Sequence, residues 1–234
     1  MIRLEPLVAA HAALLGPILD DADALRFTRI PEPPGPGFAE DWMARYERGR
    51  EAGDAEGFAI LDAAGGAFLG VALAPVIDRE GREVELGYIV APGARGRGVG
   101  TAALRQLTEW AFAELGALRI LLIIDAANAP SRRVAERCGY VHEGTLRSSH
   151  LKQGIRIDAE LWSRLPSDPY ASMSSATRSP TTVVGIAVVA RGSEGKIDAS
   201  AIRIAGRPWS RARSSTTAPS AGSGPIGQLA PGCQ

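Results

Sequence analysis

The chain is poor in the residues that staple, ligate metal or enter membranes. Only Cys138 and Cys233 occur among 234 residues, so neither a disulfide framework nor zinc-ligand spacing can be assembled. Three histidines, scattered at positions 11, 142 and 150, make no metal-binding pair at helical or strand spacing. Aromatics are scarce at 6%, and no apolar run approaches the length that crosses a bilayer. The start, Met-Ile-Arg-Leu-Glu-Pro, lacks the basic-then-apolar order of an export signal. A reducing cytoplasm, with no membrane partner, is the expected setting.

Net charge is also absent overall, but it is unevenly spread. Residues 171–234 hold seven Lys/Arg and two Asp/Glu, leaving 19 basic and 24 acidic residues in 1–170. A mildly acidic domain argues against nucleic acid as partner and suits a cationic amine. From residue 169 onward Ser, Ala, Gly and Pro dominate, and only Thr182–Ala190 has strand-like content. Two parts are therefore expected: a domain over 1–168 and a largely disordered tail over 169–234.

What the chain does have is a glycine–arginine cluster between two regular segments. Val84 to Val90 alternates, with Val84, Leu86, Tyr88 and Val90 on one face. Thr101 to Leu115 carries Ala103, Leu107, Trp110 and Ala111 at helical spacing. Between them lies Arg95-Gly-Arg-Gly-Val-Gly100. A strand passing through a glycine-rich turn into a helix aims bare main-chain N–H groups at phosphate, and the helix terminus adds its partial positive charge. The cluster lacks the Gly-Lys-Ser/Thr ending of a P-loop. It also lacks the G-x-G-x-x-G spacing of a dinucleotide site and any accompanying Mg²⁺ ligand.

Three further segments follow. Arg119 to Asp125 is a nearly continuous apolar run, the pattern of a strand buried on both faces. Asn128 to Gly139 reads as a short helix with an Asn N-cap, Pro130 in its first turn and a C-terminal glycine. Gly154 to Trp162 reads as a last strand, after a hairpin around Ser148 to Gln153. Upstream, Ile2–Leu4, Gly57–Asp62 and Ala67–Pro75 read as strands and Phe38–Arg50 as a helix. Ala9–Leu19 is helical but interrupted at Gly16-Pro17, and residues 31–37 form a proline-rich loop.

These motifs, in this order, resemble the GNAT acetyltransferases, and within them the RimJ/RimL-type branch that acetylates ribosomal-protein N-termini. The resemblance spans about residues 1–165. It implies an α/β fold: a mixed, mostly antiparallel sheet, splayed between its fourth and fifth strands and flanked by helices. It implies acetyl-coenzyme A as co-substrate, no metal, and a primary amine as acceptor, either a small molecule or a protein N-terminus. A homodimer is compatible with it. Arg95, Gly96, Arg97, Gly98, Val99, Gly100 and Thr101 would hold the pyrophosphate. Backbone groups of Ile89 and Val90 would hold the pantetheine arm, and Asn128 would contact the cofactor near its amine end.

Catalytic roles divide among three side chains. Glu85, among apolar neighbours on a strand, has the setting of a general base with a raised pKa. His150 is the rival base, its ordinary pKa already near neutrality. The tyrosine that many family members carry in the Asn128 helix is Ala135 here, so Ser131 is the expected acid for the departing thiolate. The alternatives are another acyl donor such as succinyl-CoA, read by Arg147 or Arg156, or a coenzyme A-binding regulator without turnover. Cys138 reads as a buried hydrophobe, which favours direct transfer in a ternary complex over an acyl-cysteine route.

Overall fold

A computed structural model describes residues 1–169 of the chain. The tail expected from residue 169, with its strand-like Thr182–Ala190 segment, therefore lies outside the described residues from Tyr170 on. No helix among the described residues is long and apolar enough to cross a membrane.

The strands are β1 (Ile2–Pro6), β2 (Glu56–Asp62), β3 (Phe68–Asp78), β4 (Glu83–Val90), β5 (Arg119–Asp125), β6 (Val141–Lys152) and β7 (Ile155–Arg164). They form one seven-stranded sheet in the order β1-β2-β3-β4-β5-β7-β6. Every pairing is antiparallel except β4 with β5. The helices are α1 (Gly16–Leu19), α2 (Ala22–Phe27), α3 (Phe38–Ala52), α4 (Val99–Ala113) and α5 (Ala129–Arg137). The break expected at Gly16-Pro17 is real: a 3-10 turn over Ala9–Leu14 gives way there to α1, with Pro17 in its first turn. Asp21 caps α2 by accepting the Ala24 amide at 2.7 Å.

Each face of the sheet carries its own core. On one side α3 lays Trp42, Met43 and Tyr46 against Ala59, Val71 and Ile89, with Leu7, Leu15 and Ile18 closing the end. On the other, Leu104, Leu107 and Ala111 of α4 pack on Ile60, Ala72, Leu86 and Ile120, joined by Ala135, Cys138 and Tyr140 from α5 and its exit. The Tyr140 hydroxyl lies 2.7 Å from Thr108 Oγ1 in that interior.

The parallel β4–β5 ladder is short. Glu83, Val84 and Glu85 pair with Arg119, Ile120 and Leu121, and pairing stops there. Beyond that point β5 remains paired with β7 through Asp125, while β4 remains with β3 through Val90. Two features fix the parting. Pro75 has no N–H to give, and the β3–β4 register shifts between Leu73 and Val76; such a bulge adds local twist opposite Leu86. At the closed end Arg119 clamps the strands, reaching Glu83 Oε2 at 3.2 Å and Glu143 Oε1 at 2.9 Å. Burial pushes the Glu143 carboxyl up, but Arg119 and the Ser163 hydroxyl outweigh it and hold it below the usual range.

The parting also corrects the reading of β5 as buried on both faces. Only Ile120, Leu122 and Ile124 are buried. Ile123, on the opposite face, lines the opening that the splay creates.

Close approach of β3 to β4 at the mouth requires glycine. Gly70 sits at φ +147, and a Cβ there would lie 2.1 Å from the Ile89 carbonyl oxygen. Gly70→Ala is expected to cost about 3 kcal/mol, combining backbone strain with a clash against main chain. Urea unfolding followed by circular dichroism measures it.

Candidate active site

The opening between β4 and β5 is a cleft of about 730 Å³. At one end β4 leads into a 3-10 turn, Pro92–Ala94, and then into the turn Arg95–Gly98. Gly96 and Gly98 both take left-handed conformations, φ +74 and +77, and Gly98 is the N-cap of α4. The amides of residues 96–101 have no acceptor in hydrogen-bonding geometry among the described residues. Alternating left-handed glycines fan these amides outward, which suits an anion with several oxygens. Gly100 answers a different need: a Cβ there would stand 3.0 Å from Tyr88 Cε2, so glycine lets α4 settle onto β4. Together these features fit a diphosphate.

Arg95 departs from its expected role as a free phosphate donor. Its guanidinium is paired with the Asp21 carboxylate at the head of α2, and it also lies 3.5 Å from Asp23 Oδ2. Burial raises the Asp21 carboxyl, but the hydrogen bonds from Arg95 and the Ala24 amide overcome this and leave it below the ordinary range. Arg97 is exposed.

The polar edge of β4 is offset by one residue from expectation. The Ala91 amide donates to Leu69 O at 2.9 Å, and Ile89 stands opposite Val71. Antiparallel alternation then directs the Ile89 N–H and C=O at β3, and those of Tyr88 and Val90 toward the opening. The Val90 carbonyl already accepts Arg95 Nε at 3.3 Å, which leaves its N–H facing the cleft.

Strand alternation also separates the chemistry by face. Glu85 points to the α3 side and Tyr88 to the α4 side. The Glu85 side chain is 19% exposed, with Arg29 Nη2 at 3.8 Å from Oε1. Desolvation raises its pKa; Arg29 opposes this without cancelling it. His150, from β6, lines the same cleft. Its pKa is lowered, first by desolvation and further by Arg29, Lys152 and Arg156, against the pull of Asp125. Burial thus moves the two groups in opposite directions, the carboxyl up and the imidazole down.

On the α4 side, Asn128 caps α5 by accepting the Ser131 amide at 3.1 Å. Ser131 Oγ lies 3.2 Å from the Tyr88 hydroxyl. Burial pushes that phenol up to about 12, so it keeps its proton at neutral pH. Ala135, where the family often has tyrosine, is fully buried. Cys138 is buried too, with its pKa raised by desolvation, and it donates to Thr101 O at 3.6 Å. It has the setting of a packing residue. His11 accepts the Val8 amide at 3.1 Å and His142 stacks on Trp162 at 5.1 Å; neither lines the cleft.

Three contributors escape sequence reasoning. Tyr88 reads as a core position, and nothing local shows that its hydroxyl meets a serine 43 residues away. Arg29 and Lys152 are ordinary surface cations until the fold places one beside Glu85 and the other on Thr28 O at 3.1 Å.

Known proteins resemble this chain in sequence and in fold. Residues 2–141 match the family model described as an acetyltransferase (GNAT) domain. YdaF of Bacillus subtilis strain 168, whose name assigns it to ribosomal N-acetyltransferases, is 32% identical over 171 residues, covering 70% of this chain and 84% of YdaF. Two solved structures share the fold. RimL, named as a ribosomal L7/L12 alpha-N-protein acetyltransferase, superposes with a TM-score of 0.64 at 18% identity, covering 70% of this chain and 90% of RimL. The spermidine N-acetyltransferase of Vibrio cholerae, solved with CoA and spermine, gives 0.63 at 21% identity, covering 71% and 96%. With its splayed sheet, its glycine turn ahead of α4 and its matched sequence, the chain belongs to the GNAT acetyltransferases, beside the RimJ/RimL-type members, and is an acetyl-CoA-dependent acyltransferase.

Proposed function

We propose that the protein moves an acetyl group from acetyl-CoA to a primary amine by direct attack, with both substrates bound together. The observation that carries this reading is the opening between β4 and β5, which joins a fan of unpartnered amides to a half-buried carboxylate through one continuous cleft. The amides of residues 96–101 would grip the pyrophosphate, and the Val90 N–H would polarise the thioester carbonyl. The acceptor would approach from the α3 side, where α2, α3 and their connecting loop form the wall.

Proton traffic follows from the two faces. Glu85, or His150 in its place, takes a proton from the incoming ammonium. The neutral nitrogen forms the new C–N bond as the C–S bond breaks, its remaining extra proton leaves to solvent, and the departing thiolate takes a proton from Ser131. Ser131 regains its proton from solvent, while the Tyr88 hydroxyl, 3.2 Å from Ser131 Oγ and protonated at neutral pH, holds that oxygen in place. No acyl-enzyme is needed, and buried Cys138 stays out of the reaction.

Thiol release from acetyl-CoA in the presence of an amine panel tests the reading directly; no release with any amine rejects it. Ser131→Ala is expected to lower kcat by about a hundredfold, in the range of lost acid–base assistance, with little change in acetyl-CoA affinity. Gly100→Val is expected to do the reverse, weakening acetyl-CoA at least tenfold by driving a side chain into Tyr88, as isothermal titration would measure.

The pH dependence follows from Glu85. As a base it works only when deprotonated, so kcat/KM rises with pH through a value above the ordinary carboxylate range. Glu85→Gln removes that limb. If the limb survives in Glu85→Gln and vanishes in His150→Gln, the imidazole is the base.

Stability moves the other way. A carboxyl whose folded pKa is raised binds its proton more tightly in the fold than in the unfolded chain. Its contribution is then greatest at low pH and is lost as pH climbs from the ordinary carboxylate value through the raised one. Glu85→Gln should therefore raise Tm at neutral pH while lowering turnover, a pairing that calorimetry and the thiol assay read together.

A further inference from the structure

The acceptor half of the cleft carries a cation beside its half-buried carboxylate. Arg29 Nη2 stands 3.8 Å from Glu85 Oε1, and its side chain is 68% exposed. It is not a loose surface arginine. Lys152, at the tip of the β6–β7 hairpin, donates to Thr28 O at 3.1 Å and also to Ile30 O, gripping the residues on either side of Arg29. The Thr28 hydroxyl donates to Ala24 O at 2.6 Å and accepts the Ile30 amide, and Ile30 itself is buried. The backbone that carries the guanidinium is thus held from both directions.

A second guanidinium, Arg45 on α3, lines the same half. The carboxylates there are few. Asp23 lies 3.5 Å from Arg95, and Asp125 Oδ1 accepts the Ala127 amide at 2.7 Å. One wall is aromatic: Phe38, Trp42 and Tyr46 follow one another along α3 with ring centroids 5.8 and 6.1 Å apart.

An acceptor nitrogen drawn to Glu85 comes within contact range of the Arg29 cation. A compound with two or three ammonium groups meets repulsion there and finds no row of carboxylates for its other charges. A compound with an acidic group near its nitrogen turns the same repulsion into a forked, charge-assisted pair. Building on the acetyl-transfer reading, we infer that the acceptor is a small amine bearing a carboxylate or phosphate a few bonds from its nitrogen, on an apolar or aromatic body, and that Arg29 selects it.

The test is a thiol-release comparison of phenylalanine with phenethylamine, which differ by the carboxylate, alongside phosphoethanolamine with ethanolamine, and spermidine. The acidic member of at least one pair should exceed its neutral partner and spermidine by about tenfold in kcat/KM, the worth of one charge-assisted pair. Which pair responds identifies the acid. Arg29→Ala should bring that ratio near one, and Arg29→Lys, a point charge without the fork, should keep part of it; titration with acetyl-CoA checks that both variants are folded. Spermidine or the neutral amines turning over as fast as the acidic ones, or a ratio unmoved by Arg29→Ala, overturns the inference and leaves acetyl transfer standing. No thiol from any amine removes both.

Discussion

Two strands that begin as partners and then part are the constraint on which everything else depends. Three residue pairs hold β4 to β5. Past them, each strand has a stronger claim on its outer neighbour: β5 keeps a six-residue ladder with β7 and β4 keeps its ladder with β3. A backbone edge left without a strand partner must find another use for its N–H and C=O groups, because burying them unpaired costs free energy. Here that edge is the Tyr88 and Val90 side of β4, and the cleft keeps it accessible. Pro75 and its bulge on β3 and the Arg119 clamp between Glu83 and Glu143 set where the parting starts.

From that parting follows the division of chemistry between faces. Because side chains alternate along β4, Glu85 and Tyr88 necessarily emerge on opposite sides of the sheet. Each meets a different core, one built on α3 and one on α4 and α5. Burial then does different things to the two groups. It lifts the Glu85 carboxyl above its ordinary value against the pull of Arg29, and it holds the Tyr88 phenol protonated. The sheet itself keeps the two groups apart.

Much of this was legible in the order of residues. The alternation of Val84–Val90, the glycine turn and the helical period after it led to β4, the 96–101 amides and α4, and the Asn128 cap is as read. The family resemblance supplied the place of the splay. What escaped were effects of distance. Arg95 reads as a phosphate ligand from its place in the glycine turn, and nothing local shows that the fold also pairs it with Asp21, 74 residues upstream. The resemblance puts both Ile89 and Val90 on the polar edge, whereas strand phase is set by pairing with β3, which no local pattern reveals. The apolar run of β5 looked doubly buried because a sequence cannot show that the neighbouring strand departs halfway along.

Asp21 does two jobs at once. It caps α2, whose C-terminal end leads into the Arg29 loop, and it holds the arginine of the glycine turn. Change in the two elements is therefore coupled: a mutation that removes Asp21 loosens the head of α2 and releases the arginine of the glycine turn together. The β6–β7 hairpin reaches the Arg29 loop by a separate route, through Lys152 on Thr28 O and Ile30 O, so a change made there spares Asp21.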